Sequence, residues 1–410
     1  MSTVKFKLNF KSNIKEKITA IMFLIVIFVL LTLSIVSVKS IETQFLTSYR
    51  SGAAEASGLL EKVNIAIDSV ESAVRTGNNY SPIFVEVYGF TQKIMGKRVF
   101  PDLNYGALYK TSHAQITYAV GEKDLSSDLD GLLTLKSELD ALGIPLLYIQ
   151  APFKLPEGEQ QLPINVRDYS NENADRFLEH LNDAGIDYLD LRPGFWSSGM
   201  TQNQLFFNTD HHWNIDGAFL SMKDIENKLN EDYNFKIDAK YSNLDNFTRK
   251  TYKDFYIGSM GRRVGKLYGG VDDFTLITPN FETSYTLYER DYGGEKVYKG
   301  SFEGAVLTNS YLDEKAPLTE NRYAVYHGDN AELEFVNNMV DSGKVLMVKD
   351  SFGLPIYCFL SLAIHETRAL DLRLFKGSVS GYAKEHKPDV VIVMYNSDCF
   401  GGTMFDFDSK

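Results

Sequence analysis

Two short stretches concentrate the residue types that can do acyl-group chemistry. One is Asn208-Thr-Asp-His-His-Trp-Asn214, and the other is Lys349-Asp350-Ser351-Phe352-Gly353. A serine hydroxyl is a weak nucleophile until a base takes its proton. The chain has seven histidines, and two of them are His211 and His212. Asp210, two residues before His212, can hold one ring nitrogen while the other faces a serine. Ser351 lies where a strand-like run turns into a helix-like one. There its hydroxyl can be exposed and its N–H can point at a developing oxyanion. Asn396, after another strand-like run, can add an amide donor. Trp213 can pack against the site and exclude water, and His211 reads as a packing or surface neighbour of the base.

The same residues admit plainer readings. A serine after a strand is also the usual helix N-cap. Asp-His-His-Trp also suits a polar turn or a metal site. Adjacent histidines cannot easily ligate one ion together, and no H-E-x-x-H pattern accompanies them, so no metal is expected. Asp128-Leu-Asp-Gly131 resembles a calcium loop, but Ser126 and Ser137 occupy its first and twelfth positions. No G-x-S-x-G, G-x-G-x-x-G or P-loop pattern occurs, and no cofactor is expected.

The elements that must position these residues alternate. Leucines at three- and four-residue steps predict a helix over 127–142, stopped by Gly143, and 144–150 follows as an apolar strand. A helix over 171–184 and a strand over 187–191 come next. The alternation returns with a strand at 344–349, a helix at 352–364 and a strand at 367–372. A helix at 377–387 and the β-branched strand 389–395 complete it. This pattern predicts a parallel sheet with helices on both faces, where ligands bind beyond the carboxyl ends of the strands. Residues 215–229 read as a helix. Between the halves, 233–340 is rich in Tyr, Phe, Thr and Gly, with turn pairs at Gly269-Gly270 and Gly293-Gly294. It predicts short antiparallel strands, either inserted or packed against the sheet.

Hydrophobic residues make up 44% of the 410 positions, which excludes wholesale disorder. Two cysteines, Cys358 and Cys399, exclude a disulfide scaffold. The net charge of −12 disfavours broad electrostatic binding to nucleic acid. That charge is uneven, because Lys5, Lys7, Lys11, Lys15 and Lys17 stand against Glu16 alone in the first 17 residues. They run into an uncharged stretch at 18–38, whose 21 residues span about 30 Å as a helix, the thickness of a bilayer core. The lysines place the N-terminus in the cytoplasm and the bulk outside. An uncleaved anchor is favoured over a signal peptide, whose apolar region is usually about 7–15 residues long. A soluble extracytoplasmic bulk with two cysteines fits a Gram-positive cell. The expected organisation is a basic tail at 1–17, the anchor at 18–38 and a helical stalk at 39–79. A catalytic domain at 80–410 follows, with 233–340 as its β-rich insertion.

Asp210-His211-His212-Trp213, taken together with Lys349-Asp-Ser-Phe-Gly353, resembles the DHHW proteins. These are a branch of SGNH-hydrolase-like proteins related to the alginate O-acetyltransferases. Asn214-Ile-Asp-Gly-Ala218 matches the helix opening of that family, and the order Asp210, His212, Ser351 matches its permuted motif order. The resemblance spans roughly 85–398, including Ile257-Gly-Ser-Met-Gly-Arg-Arg263. It implies an α/β SGNH-hydrolase-like three-layer sandwich and a triad acting on acetyl esters of polysaccharides. In it Ser351 is the nucleophile, His212 the base and Asp210 its orienter. Tyr395-Asn396 takes the place of the family's Gly-x-Asn-Asp, with Asn396 as oxyanion donor. Asp371-Leu-Arg373 resembles a family Asp-x-Arg, making Arg373 a ligand contact or a structural ion pair. Arg262, Arg263 and Lys266 are candidates to meet an anionic glycan. The implied partners are a polysaccharide acceptor and a multi-pass membrane acyltransferase that supplies acetyl groups. A carbohydrate esterase and a non-catalytic wall-binding protein of the same fold are the alternatives, and the distance between Ser351 and His212 discriminates the last.

Overall fold

The computed structural model describes residues 14–53, 58–76, 81–291 and 293–408, so Lys5, Lys7 and Lys11 of the expected tail lie outside it. The chain divides into two compact units, Met1–Tyr88 and Gly89–Lys410.

In the first unit the apolar run is part of an unbroken helix, α1 (Ile14–Ala53). Its Glu16–Leu33 stretch is long and apolar enough to cross a membrane, and none of it is buried within the protein. The polar segment after it was expected as one helical stalk. Instead α1 continues to Ala53, and a second helix, α2 (Leu59–Thr76), runs back along it. Val70 and Ala73 face Val38, Ile41 and Phe45, and Gly52 lies against Ile65. Gly52 and Gly58 flank the reversal, in keeping with the helix-weakening residues read there.

The helix α3 (Ser81–Ile94) contains the boundary between the units. A small antiparallel sheet of β1 (Val99–Asp102), β2 (Gly106–Lys110) and β3 (Ile116–Thr117) follows. The α/β alternation then runs α4 (Ser126–Ala141), β4 (Leu146–Ala151), α5 (Ser170–Asp183), β5 (Asp187–Asp190) and the helix Ile215–Tyr233. Next come β6 (Phe247–Tyr256), β7 (Asp272–Pro279), β8 (Tyr285–Asp291), β9 (Gly294–Gly300) and β10 (Glu332–Asn337). The chain ends with β11 (Lys344–Lys349), the helix Gly353–Ala363, β12 (Glu366–Leu370), the helix Val379–His386 and β13 (Val390–Asn396).

The central sheet has the order β5-β4-β13-β11-β12-β10-β8-β9. The first five strands are parallel, with Val345 opposite Val390 and Val391 opposite Leu146. Every residue of β4 and β13 is buried, as expected of strands covered on both faces. Alternate residues feed two cores. Leu147, Met347, Ile392 and Met394 join the helices Ile215–Tyr233 and Gly353–Ala363 on one face. Leu146, Val348, Val393 and Tyr395 join α4, α5 and Val379–His386 on the other. These make the three layers.

The sheet differs from the expected parallel one in being mixed. The segment 233–340 is not set apart from it. β8, β9 and β10 extend the sheet antiparallel from β12, while β6 and β7 form a separate hairpin. Parallel ends β4, β13, β11 and β12 bring Pro152–Lys154, Asn396–Cys399, Asp350–Ser351 and Asp371–Arg373 to one edge.

Candidate active site

The turn after β11 is held by its own acidic residue. Asp350 accepts the Phe352 N–H at 2.8 Å through one carboxylate oxygen. The other accepts the Asn396 N–H at 2.7 Å and the Cys399 thiol at 3.3 Å. Asp350 thus ties the turn to the end of β13, and burial pushes its carboxyl up against those hydrogen bonds. Gly353 lets the new helix fold back on the strand, because a Cβ there would stand 2.7 Å from Lys349 Cβ. Lys349 is fully buried and paired with Asp329 at 2.7 Å and Asp371 at 2.9 Å. Ser351 between them is half-buried, and among the described residues its N–H has no hydrogen-bond partner.

The second stretch is braced from below. Asp272 at the start of β7 accepts the Asn208 and Thr209 N–H groups at 2.7 and 2.8 Å and the Thr209 hydroxyl at 2.5 Å. The Met260 and Gly261 N–H groups donate to the Thr209 carbonyl at 3.1 and 2.8 Å. The 257–263 segment therefore cradles the loop. Gly258 is required there, since a Cβ would stand 2.3 Å from Asp210 Cβ.

Asp210 is 2% exposed. One carboxylate oxygen accepts the Ser259 N–H at 2.7 Å and the Tyr256 hydroxyl at 2.9 Å. The other accepts the His212 N–H at 3.1 Å and its Nδ1–H at 2.6 Å. That leaves His212 Nε2 as acceptor for the Ser351 hydroxyl, 2.6 Å away. The His212 ring is fixed by stacking on Tyr323, with centroids 4.3 Å apart. Burial alone would raise the Asp210 carboxyl, but His212 and His211, with the hydrogen bonds, hold it well below the usual range. The orienting group stays anionic, as a triad requires.

Lys154, just beyond β4, lies under this arrangement and is 1% exposed. Its ammonium donates to the Ile116 carbonyl at 2.8 Å and to the Asp210 carbonyl. Burial lowers it to about 7, against the pull of Asp272 and Asp210. His211 stands on the open side with its Nδ1 3.1 Å from Ser259 Oγ. Burial, reinforced by His212 and opposed by Asp210, lowers it to about 3.

The remaining expected site residues fare differently. Trp213 is fully buried and donates to the Tyr323 hydroxyl at 3.0 Å and the Phe352 carbonyl at 3.2 Å, so it braces both halves of the site from within. Tyr395 points into the opposite core and donates to the Met404 carbonyl at 2.7 Å, because residue parity on β13 turns it away from Asn396. It does not line the site. Asn396 is the last residue of β13. Its amide donates to the Pro152 carbonyl at 2.9 Å and its Oδ1 accepts the Asp398 N–H at 3.1 Å. These bonds cap the strand end, and none reaches Ser351 or His212. Arg373 pairs with Asp371 at 2.5 Å and Asp329 at 2.9 Å and is still 42% exposed. Its charge is felt by His211 and Asp350, which places an ion pair at the rim of the site. Cys358 and Cys399 are free thiols. Asp210, His211 and His212 offer ligand atoms within 4.8 Å of one another, but both carboxylate oxygens and both His212 nitrogens are already engaged in hydrogen bonds.

Tyr256, Ser259, Lys154, Tyr323 and Asp272 were not read from the sequence. Their distance along the chain hides them, although the paired glycines of Ile257–Arg263 mark a close backbone approach.

Residues 108–251 match the family model described as SGNH hydrolase-like domain, acetyltransferase AlgX. That stretch holds Asp210 and His212 and ends before Ser351. No curated protein sequence matches the chain. Among solved structures, Bacillus cereus PatB1 with a sulfonyl adduct aligns at TM-score 0.60 and 22% identity, covering 75% of this chain and 100% of its own. A DHHW family protein from Eubacterium siraeum aligns at 0.57 and 16%, covering 76% and 98%. The O-acetyltransferase domain of Pseudomonas putida AlgJ aligns at 0.45 and 13%, covering 74% and 93%. The chain thus shares its fold with PatB1 and the DHHW family protein, and its residues 108–251 match the SGNH hydrolase-like model of the acetyltransferase AlgX.

Proposed function

We propose that the chain is a membrane-anchored, extracytoplasmic O-acetyltransferase acting on a cell-surface or exported polysaccharide. The observation that carries this reading is the unbroken relay from Asp210 through His212 to Ser351 Oγ, with both links at 2.6 Å. His212 takes the proton of Ser351 as its oxygen attacks the carbonyl of an acetyl donor. The oxyanion is held by the Ser351 N–H, and losing one such donor typically costs about 2.7–4 kcal/mol in the barrier. The donor's leaving group departs with the proton from His212, leaving acetyl-Ser351. A sugar hydroxyl then takes the acetyl group. The helix α1 keeps the domain at the membrane, the N-terminus faces the cytoplasm, and a multi-pass acyltransferase delivers acetyl groups across the bilayer. An extracytoplasmic part with only two cysteines fits a Gram-positive envelope.

The test uses the full chain in detergent micelles with p-nitrophenyl acetate as donor and oligosaccharides as acceptors. A burst of p-nitrophenolate and acetylated oligosaccharide are expected, and Ser351→Ala should lose both. Release of acetate alone would select the esterase alternative. Wild-type turnover in Ser351→Ala would remove the assignment. Methanesulfonyl fluoride should modify Ser351, by analogy with the sulfonyl adduct of PatB1.

A further inference from the structure

The relay uses one of two adjacent histidines, and the other is placed with equal care. The His211 and His212 rings lie 3.8 Å apart, centroid to centroid. His211 Nδ1 meets Ser259 Oγ at 3.1 Å, and Ser259 is itself fixed by its N–H on Asp210. The Tyr105 phenol bears on the same serine. Phe352, next to Ser351, packs against both rings, at 6.2 Å from His211 and 5.2 Å from His212. Side-chain exposure rises outward, from 2% at Asp210 and 11% at His212 to 25% at His211. Among the described residues, His211 Nε2 has no hydrogen-bond partner. A fixed, half-buried imidazole with one nitrogen open beside the base is built to meet something.

We propose that His211 Nε2 hydrogen-bonds the acceptor sugar beside the hydroxyl that takes the acetyl group, and so sets the preference for sugar over water. The inference rests on the acyl-transfer reading above. His211 is uncharged in the working range, since burial and His212 lower it to about 3. An uncharged ring favours a hydroxyl or amide of a glycan over a carboxylate or phosphate. In the transfer step the acceptor O–H breaks and its proton goes to His212 Nε2. The acceptor oxygen bonds to the acetyl carbon, the Ser351 Oγ–carbon bond breaks, and the proton passes to Ser351 Oγ. His211 gains and loses no proton. It holds a neighbouring group of the sugar so that the attacking oxygen dwells near His212, an orientation gain that water lacks.

The experiment compares full-length wild type with His211→Phe, which keeps the stacked ring, and His211→Gln, which restores a polar group. The p-nitrophenyl acetate burst is read alongside, so that any change at Asp210 or His212 divides out of the comparison. The ratio of acetyl transferred to cellopentaose or chitopentaose over acetate released should fall at least tenfold in His211→Phe and recover in His211→Gln. On a Ser351→Ala background, His211→Phe should weaken oligosaccharide binding at least fivefold. An unchanged ratio with wild-type transfer intact overturns the role of His211 and leaves the transferase reading standing. No transfer in wild type, with binding still weakened by His211→Phe, sinks the transferase reading and retains His211 as a sugar contact. No oligosaccharide binding to the Ser351→Ala protein that retains His211 also overturns the proposal.

Discussion

At the scale of residues, the hydrogen-bonded set Asp210, His212 and Ser351 was legible because each member lies beside a strong local signal. Asp210 and His212 share one short motif, and Ser351 follows an unmistakable strand. What supports them was not legible. Tyr256, Ser259 and Lys154 reach Asp210 from 46, 49 and 56 positions away. Asn396 looked suitable by position, but its amide is bound to Pro152 and Asp398. Two substitutions separate chemistry from support. Asp210→Asn, which keeps the shape and disturbs the tautomer, should lower kcat by about 10⁴-fold at unchanged folding. Tyr256→Phe removes one of two donors to the outer Asp210 oxygen and should cost about tenfold in kcat, consistent with the usual 0.5–1.5 kcal/mol of one hydrogen bond. Burst kinetics with circular dichroism as the folding control check both. A Tyr256→Phe enzyme as dead as Asp210→Asn would mean the phenol takes part in the chemistry.

At the scale of elements, the strands and helices of the parallel half fall within about two residues of where periodicity puts them, except the helix Ile215–Tyr233, which runs four residues past the expected end at 229. The 233–340 region resisted because antiparallel strands of mixed polarity carry a weak local pattern, and their partners are set by tertiary pairing. Asn214 shows how an element delivers the site: its Oδ1 caps the Gly217 N–H at 2.9 Å and starts the helix immediately after the histidines. The 257–263 segment acts through closeness instead. Gly258→Ala should push Asp210 aside and reduce kcat at least a hundredfold, more than it raises KM, and a near-wild-type kcat would show that the cradle yields freely. Further along the helix Ile215–Tyr233, Glu226 is 2% exposed, and burial raises its carboxyl to about 7. The folded state then holds a proton that the unfolded chain has already released. Its contribution to stability is present below about pH 4.5 and is lost as pH rises to about 7. Moving a carboxyl from 4.5 to about 7 corresponds to roughly 3 kcal/mol. Glu226→Gln should therefore gain stability over wild type at pH 8 and little at pH 4.5, read by thermal unfolding across pH. An equal effect at both would contradict the buried neutral acid.

At the scale of the whole molecule, the chain joins an exposed apolar helix to a three-layer domain whose proposed site lies at the carboxyl ends of its parallel strands. Hydropathy alone made the helix legible. It did not reveal that the polar part doubles back as α2, because Gly52 and Gly58 are its only local mark in the sequence. The proposed topology has a direct readout. The protein should stay with membranes through alkaline carbonate washing, and protease added to intact wall-stripped cells should digest a tag placed after Lys410. A tag protected until the membrane is breached would reverse the orientation. The acidic remainder of the chain also argues against nucleic-acid partners, since it offers phosphates repulsion.

The central claim is that Ser351 carries the acetyl group. The most direct measurement is to quench the full-length protein during the p-nitrophenyl acetate burst and map the modified peptide by mass spectrometry. One acetyl group on Ser351, absent from His212→Ala and cleared when an oligosaccharide acceptor is added, is the expected result. A burst with Ser351 unmodified, or an acetyl group that persists without turnover, would contradict it.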